Sequence, residues 1–215
     1  VNYQMVNVQA VYNSKYIALK LEWEDHSQDQ GLYLVQDFQD GAAIQFSIDG
    51  TKGFHGMGSK DHPTDIWYWK AEWQMRVDEK TNSDIELAYA NRVSDSNVDT
   101  YPSLMNDIAY LSGRDAGNIN SEAGKTSPVE NVTAIGPQTV TPLPENAQKI
   151  MGNGVWDGQK WQVVFVRKLK SDSKRKVNIK KGESIPIAFA IWNGSENDRN
   201  GQKMVSTWYE LELKD

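Results

Sequence analysis

The chain contains no cysteine. This absence excludes disulfides, thiolate zinc sites, iron–sulfur ligation, a cysteine nucleophile and covalent haem attachment through a C-x-x-C-H motif. Histidine is also rare, and the three histidines are His26, His55 and His62. A three-histidine metal site would need all of them, and their spacing does not indicate one. The sequence therefore offers few of the usual metal ligands.

The chain also lacks a net positive charge and long apolar runs. The 215 residues carry 23 Lys and Arg against 29 Asp and Glu, a formal net charge of −6. This balance disfavours nucleic acid as a partner, because phosphate binding requires a basic surface. No apolar run approaches the roughly 20 residues that span a bilayer, so we expect no membrane span. No leader opens the chain, so we expect a cytosolic or an already processed protein.

The common catalytic motifs are missing too. There is no G-x-S-x-G, no H-E-x-x-H, no P-loop and no G-x-G-x-x-G opening a helix. The pattern also places no carboxylate on an apolar strand face, where burial would raise its pKa. We therefore expect that the chain is not an enzyme by itself.

Apolar residues recur with a period of two, which is typical of half-buried β-strands. No segment has the pattern of a long amphipathic helix, although 144–150 could form a helical turn. This many strands in one chain predict an all-β fold, an antiparallel β-sandwich or a closed barrel, with little helix. The alternating segments are Tyr16–Trp23, Ala42–Ile48, Ile66–Trp73, Trp161–Leu169, Ile185–Trp192 and Val205–Leu213, with Met5–Val11 as a weaker candidate.

The region from about 94 to 146 is the exception. It contains five prolines and several glycines and shows little alternation. A long irregular stretch in a compact domain is usually a functional lid or a disordered insert. Because apolar residues punctuate it, we expect a lid-like insert within a single domain that covers residues 1–215.

Eight Trp and nine Tyr make the chain rich in aromatic residues. Trp67, Trp69 and Trp73 share one face of a predicted strand. They indicate either aromatic packing in a β core or a platform on which a ligand stacks. The second possibility would suit a non-catalytic carbohydrate-binding sandwich, and a structural sandwich without a ligand is a third hypothesis.

Two basic features have competing interpretations. Arg167 falls on an apolar strand face, so it lies at a rim, pairs with a carboxylate, or clamps an anionic ligand. The segment 168–181 holds seven basic residues. It is either a solvated hairpin or a patch that docks an acidic protein surface.

Two further residues are candidate ligands. Met57 lies in the run Phe54-His55-Gly56-Met57-Gly58, where glycines permit a flat ligand to approach the backbone. A methionine is also common core filler. Lys203 begins the last predicted strand after a long polar turn, where a lysine is usually solvated.

The sequence resembles one family, the haem b-binding γ subunits of the type II dimethyl sulfoxide reductase family of molybdenum enzymes. These subunits serve ethylbenzene and dimethyl sulfide dehydrogenases, selenate and chlorate reductases and nitrite oxidoreductase. The matching pieces run from about Gly41 to Leu213. They are Met57-Gly58, Trp67–Ala71, Pro128–Glu130, Ala134-x-Gly136, Gly154-x-Trp156, Trp161–Arg167, Ala188–Gly194, Arg199–Lys203 and Ser206–Trp208.

The resemblance implies a β-sandwich with one non-covalent haem b, held by a methionine and a lysine. Carried onto this chain, the ligands are Met57 and Lys203, with Met105 as the reserve methionine. Another family pattern has a lysine near 185–188, where this chain has Pro186. Arg167 and His55 would then lie near the haem, and the three tryptophans Trp67, Trp69 and Trp73 would wall it.

The resemblance also implies a role and partners. The chain would be an electron-transfer subunit that relays electrons between an iron–sulfur β subunit, itself bound to a molybdenum α subunit, and a soluble c-type cytochrome. The implied location is the periplasm.

Overall fold

The structure is a computed structural model that describes residues 3–31, 36–79, 126–171 and 173–214. Within these ranges two antiparallel β-sheets pack face to face, and one α-helix accompanies them. The prediction of an all-β sandwich with little helix is therefore confirmed. No helix in the described part of the chain is long and apolar enough to cross a membrane.

The smaller sheet has four strands and the larger sheet has seven. The order in the smaller sheet is β1 (Val6–Tyr12), β2 (Tyr16–Glu24), β8 (Lys160–Lys168) and β7 (Met151–Trp156). The order in the larger sheet is β10 (Met204–Val205), β9 (Ser184–Trp192), β3 (Gly41–Ser47), β4 (Thr64–Lys70), β5 (Val129–Ala134) and β6 (Thr141–Pro142). The last strand, β11 (Tyr209–Glu212), also pairs with β9.

The core lies between the inner faces of the two sheets, and large aromatic rings fill its centre. Trp69 packs edge-on against Trp161, with ring centroids 4.8 Å apart, and against Trp23 at 6.2 Å. A Cβ atom on Gly154 of β7 would lie 2.4 Å from the Trp69 ring, so only glycine fits there. Because Gly152 and Gly154 replace alternating apolar residues, the sequence pattern did not indicate β7.

The strand predicted over Ile66–Trp73 ends early, at Lys70. Helix α1 (Ala71–Glu79) follows at once. Its first N–H groups are satisfied from outside the helix, because Ala71 N donates to Asp40 O at 3.0 Å and Glu72 N donates to Gln39 Oε1 at 3.0 Å. Trp73 therefore lies on a helix. The apparent alternation Trp69, Ala71, Trp73 continued across the boundary by coincidence.

The prediction of irregular chain from 94 to 146 is wrong for part of that region. Val129–Ala134 forms β5, which pairs with β4 along its whole length. A short 3-10 turn at Glu145–Ala147 agrees with the helical turn expected near 144–150. Residues 94–125, which include Met105, lie outside the described ranges, so the lid remains a prediction.

Arg167 is buried between the sheets, where it pairs with Asp65 of β4. The Arg167 Nη1 to Asp65 Oδ2 distance is 3.0 Å, and Arg167 Nη2 donates to Val177 O at 2.5 Å. Asp65 also accepts hydrogen bonds from Val177 N and from Asn131 Nδ2. Burial raises the pKa of Asp65, and Arg167 opposes that rise. This corrects the expectation that no carboxylate lies on an apolar strand face.

We expect Arg167→Ala to lower the free energy of unfolding by about 3–5 kcal/mol, because it leaves the buried Asp65 carboxylate without its counter-charge. Urea unfolding of the ligand-free protein measures this change. Lys168→Ala, which removes the next side chain, exposed at the end of β8, should alter stability by no more than about 0.5 kcal/mol. Equal stability of the two variants would contradict a structural role for the Asp65–Arg167 pair.

Candidate functional site

The outer face of the larger sheet, which points away from the sandwich core, is also apolar. Every residue of β3 is buried, so this strand is covered on both faces. Small side chains occupy the middle of the outer face, because Ala43 lies directly opposite Ala190 and Ala188 lies opposite Gln45. We call Ala43, Ala188 and Ala190 the floor. Their small size leaves space over the centre of the sheet.

A cavity of about 650 Å³ lies over the floor. This volume is within the ~300–1,000 Å³ of small-molecule and cofactor sites. Three chain segments supply its other walls: the loop 55–57, the loop 137–140, and the turn and strand at 200–205. Tyr68 and Trp192 stand on one side with their ring centroids 4.8 Å apart. The cavity is therefore broad, largely apolar and aromatic on one side.

Met57 enters the cavity from a constrained loop. Its φ of 83° is rare for a residue with a side chain and costs on the order of 1–3 kcal/mol. Next to it, Gly58 has φ 70°, and a Cβ there would lie 2.5 Å from His62 O. The glycine beside Met57 is thus required by the turn itself, rather than by the approach of a ligand.

Lys203 lines the cavity from another of its walls, the turn and strand at 200–205. Its Nζ donates to Asn200 O at 3.0 Å and lies 5.0 Å from the centroid of the Trp192 ring. The Trp192 indole N–H donates to the same carbonyl at 3.2 Å. Burial lowers the pKa of Lys203. The lower pKa favours the neutral amine, which is the form of lysine that can bind a metal.

The structure separates the predicted site residues into two groups. Met57, His55 and Lys203 line the cavity together. Trp67, Trp69 and Arg167 are buried on the inner side of the sheet, and Trp73 is buried on α1. The latter group therefore does not wall the cavity, and the tryptophans form no exposed platform for a carbohydrate.

Sequence reasoning missed the strand residues that form the floor and one side of the cavity. Ile66 and Tyr68 alternate with Trp67 and Trp69 on β4, and Ala188 and Ala190 alternate with the inner-facing Ile187 and Ile191 on β9. The usable signal was the row of small residues on neighbouring strands. Without the strand register, nothing indicated that these alanines are adjacent.

A second groove, of about 730 Å³, opens between β1 and the strands β9 to β11. It shares Phe189, Lys203 and Val205 with the first cavity, and Met204 and Ala10 also line it. Neither Met57 nor His55 is among its lining residues. We regard the first cavity as the candidate site because it joins the predicted donors.

The basic segment 168–181 connects β8 to β9. Six of its seven basic side chains are exposed, whereas Lys176 is buried and its Nζ donates to Ala147 O at 2.6 Å. The exposed members are Lys168, Lys170, Lys174, Arg175, Lys180 and Lys181. The segment thus presents a concentrated positive charge on a chain whose net charge is negative.

The donor set of the cavity restricts its chemistry. Met57 offers a soft thioether and Lys203 offers an amine, both from the protein walls of one apolar cavity. Within the described residues no cluster of three His, Asp or Glu side chains could hold a metal ion. The arrangement fits a flat cofactor that brings its own equatorial ligands and needs two more from the protein.

Comparison with known proteins gives a family and three relatives. A sequence model of the ethylbenzene dehydrogenase family matches residues 2–204. A protein of Haloferax mediterranei is named as the heme subunit ORF7 of a respiratory nitrate reductase, and it is 25% identical to this chain over 209 residues. The match covers 97% of this chain and 55% of that protein. The γ subunit of chlorate reductase from Ideonella dechloratans is 24% identical over 212 residues, 97% of this chain and 64% of that subunit.

The γ subunit of dimethylsulfide dehydrogenase from Rhodovulum sulfidophilum is 28% identical over 200 residues. That match covers 93% of this chain and 56% of that subunit. The chain thus spans between about half and two thirds of the length of these relatives. By their names, all three are subunits of oxidoreductases.

Proposed function

The chain belongs to the ethylbenzene dehydrogenase family, and from this premise we propose that it is an electron-transfer subunit with one b-type haem in the cavity over the floor. The observation that carries the proposal is that Met57 and Lys203, far apart in sequence, line the same apolar cavity. One relative is named as a haem subunit and two are named as γ subunits, which supports the same assignment.

Each wall of the cavity would have a defined part in binding. Met57 and Lys203 would bind the haem iron, and the floor would leave room for the ring. Tyr68, Trp192 and the apolar side chains around them would exclude water. When bound, a haem supplies transfer of one electron at a time between its two iron states. If Met57 and Lys203 both bound the iron, neither oxygen nor substrate would have access to it.

We propose further that the chain is not catalytic by itself and works within a larger complex. Its electrons would pass between the iron–sulfur β subunit of a molybdenum oxidoreductase, bound to the molybdenum α subunit, and a soluble c-type cytochrome in the periplasm. The exposed part of the basic segment would attract an acidic partner surface, and that attraction weakens as ionic strength rises past about 0.1 M. The burial of Trp67 and Trp69 disfavours the carbohydrate-binding hypothesis, because a stacking platform has to be exposed.

The ligands can be tested by absorption spectroscopy. We expect the reconstituted protein to show a low-spin haem spectrum, with a Soret band and split α and β bands on reduction. Met57→Ala and Lys203→Ala should each convert it to a five-coordinate spectrum, because each variant removes one ligand. Met57→Ala should also lower the reduction potential, since a thioether favours the ferrous state.

Matched controls make this experiment decisive. Met151→Ala on β7 and Lys180→Ala in the basic segment remove exposed side chains of the same types, and Met105→Ala removes the reserve methionine. All three should keep the spectrum of the unaltered protein. An unchanged spectrum in Met57→Ala would refute the methionine assignment, and a colourless reconstituted protein would refute the proposed function.

The location of the site can be tested by filling it. We expect Ala190→Phe to weaken haem binding by about tenfold or more, because the ring occupies the floor. Ala10→Phe makes the same change in the second groove and should leave binding unaltered. Haem titration measures both affinities, and urea unfolding checks that both variants fold. The reverse result would move the site to the second groove.

The complex can be tested by purification from the native source. We expect an iron–sulfur subunit and a molybdenum subunit to co-purify with this chain, and metal analysis should find molybdenum and several irons for each haem. The physical reason is that a haem with two protein ligands needs an electron donor and an acceptor on other chains. Recovery of a haem-free monomer would contradict the proposal.

A further inference from the structure

Gln45 is the one polar side chain that rises from β3 into the cavity wall next to the floor. It lies on the outer face between Ala188 of β9 and Ile66 of β4, which are its direct neighbours in the strand register. The side chain is 8% exposed and lines the cavity. A buried amide among apolar neighbours is costly unless both of its ends form hydrogen bonds, so its partners are informative.

Both polar atoms of the Gln45 amide form hydrogen bonds with the same loop. Its Nε2 donates to His55 O at 2.9 Å, and its Oε1 accepts from Met57 N at 3.1 Å. On the other side of the loop, Gly136 N donates to Met57 O at 3.0 Å. The backbone of Met57 is therefore held from two sides, by a side chain of β3 and by the chain that follows β5.

These hydrogen bonds act on Met57, whose backbone conformation is unfavourable because its φ is positive. A non-glycine residue keeps a positive φ only where its surroundings impose it, and such residues concentrate at functional sites. At Met57 the imposing groups are Gln45 and Gly136. The direction of the Met57 side chain depends on this backbone conformation, because the Cα–Cβ bond turns with φ and ψ.

We propose that Gln45 is the positioning residue for the Met57 thioether. The inference rests on the proposed function, since it assigns to Gln45 the task of presenting the sulfur as an iron ligand before haem arrives. Only an amide does this fully. It offers one donor and one acceptor from a single planar group, which matches one carbonyl and one N–H of the loop. Preorganisation of this kind limits the conformational entropy that is lost on binding.

The test compares Gln45→Leu, Gln45→Glu and the control Gln162→Leu. Gln45→Leu keeps an apolar side chain of similar size, removes both hydrogen bonds and adds no sulfur to the cavity wall. Gln45→Glu keeps an acceptor for Met57 N and loses the amide donor to His55 O. Gln162 lies on β8 of the smaller sheet, away from the cavity. Urea unfolding verifies that each variant is folded.

The first readout needs no haem. In hydrogen exchange of the haem-free protein, we expect Gln45→Leu to speed exchange of the Met57 amide by about tenfold, the loss expected for one hydrogen bond. Gln45→Glu should lie between Gln45→Leu and the unaltered protein, and Gln162→Leu should match the unaltered protein. Unchanged exchange in Gln45→Leu would show that Gln45 does not hold the Met57 backbone.

The second readout concerns the ligand. In the haem-loaded protein we expect Gln45→Leu to lose part of the shifted methyl resonance of an iron-bound methionine and to have a lower reduction potential, because sulfur ligation becomes incomplete. Gln45→Glu should recover most of that resonance. A full resonance and an unchanged potential in Gln45→Leu would overturn the role of Gln45 while leaving the proposed function intact. If the unaltered protein binds no haem, the proposed function and this role both fail, and exchange still decides whether Gln45 holds the loop.

Discussion

The larger sheet has to bury both of its faces, and the rest of the structure depends on this constraint. Its inner face packs against the smaller sheet, and its outer face carries a second apolar cluster that includes Ala43, Ile66 and Val132. Exposed apolar area of this extent is unfavourable in water. The loops that carry Met57 and Lys203 fold back over the outer face. The candidate site is thus a consequence of covering a sheet that has two apolar sides.

The two faces divide large and small side chains between them. Trp67 and Trp69 fill the inner side, where Gly154 leaves space for a ring, and the floor on the outer side consists of alanines. The Asp65–Arg167 pair joins β4 to β8 across the core. A rigid inner packing of this kind keeps the outer surface of β3, β4 and β9 in a fixed shape. The cavity can then persist without a ligand to support it.

The candidate site shows where sequence reasoning reached its limit. Met57, His55 and Lys203 were identified from a glycine-flanked motif and from a family resemblance, and they do line one cavity. Arg167, Trp67 and Trp69 were assigned to the same site, yet they lie on the inner side of the larger sheet, and Trp73 lies on α1. A period of two tells which residues share a face, but both faces of β4 are apolar. Nothing in the pattern identifies which face meets the second sheet and which meets the loops.

By itself the sequence determined the fold class and those strands whose side chains alternate, because alternation is a local property of the backbone that needs no partner. It also excluded every cysteine-based site, since composition alone decides that. Only the tertiary structure decided the end of β4 at Lys70, the strand β7 with its two glycines, and the burial of Arg167 beside Asp65. Each of these depends on what a distant segment places against the residue: Asp40 at the start of α1, Trp69 against Gly154, and β4 against β8. Contacts between residues far apart in the chain leave no local periodicity, and the cavity is built from such contacts.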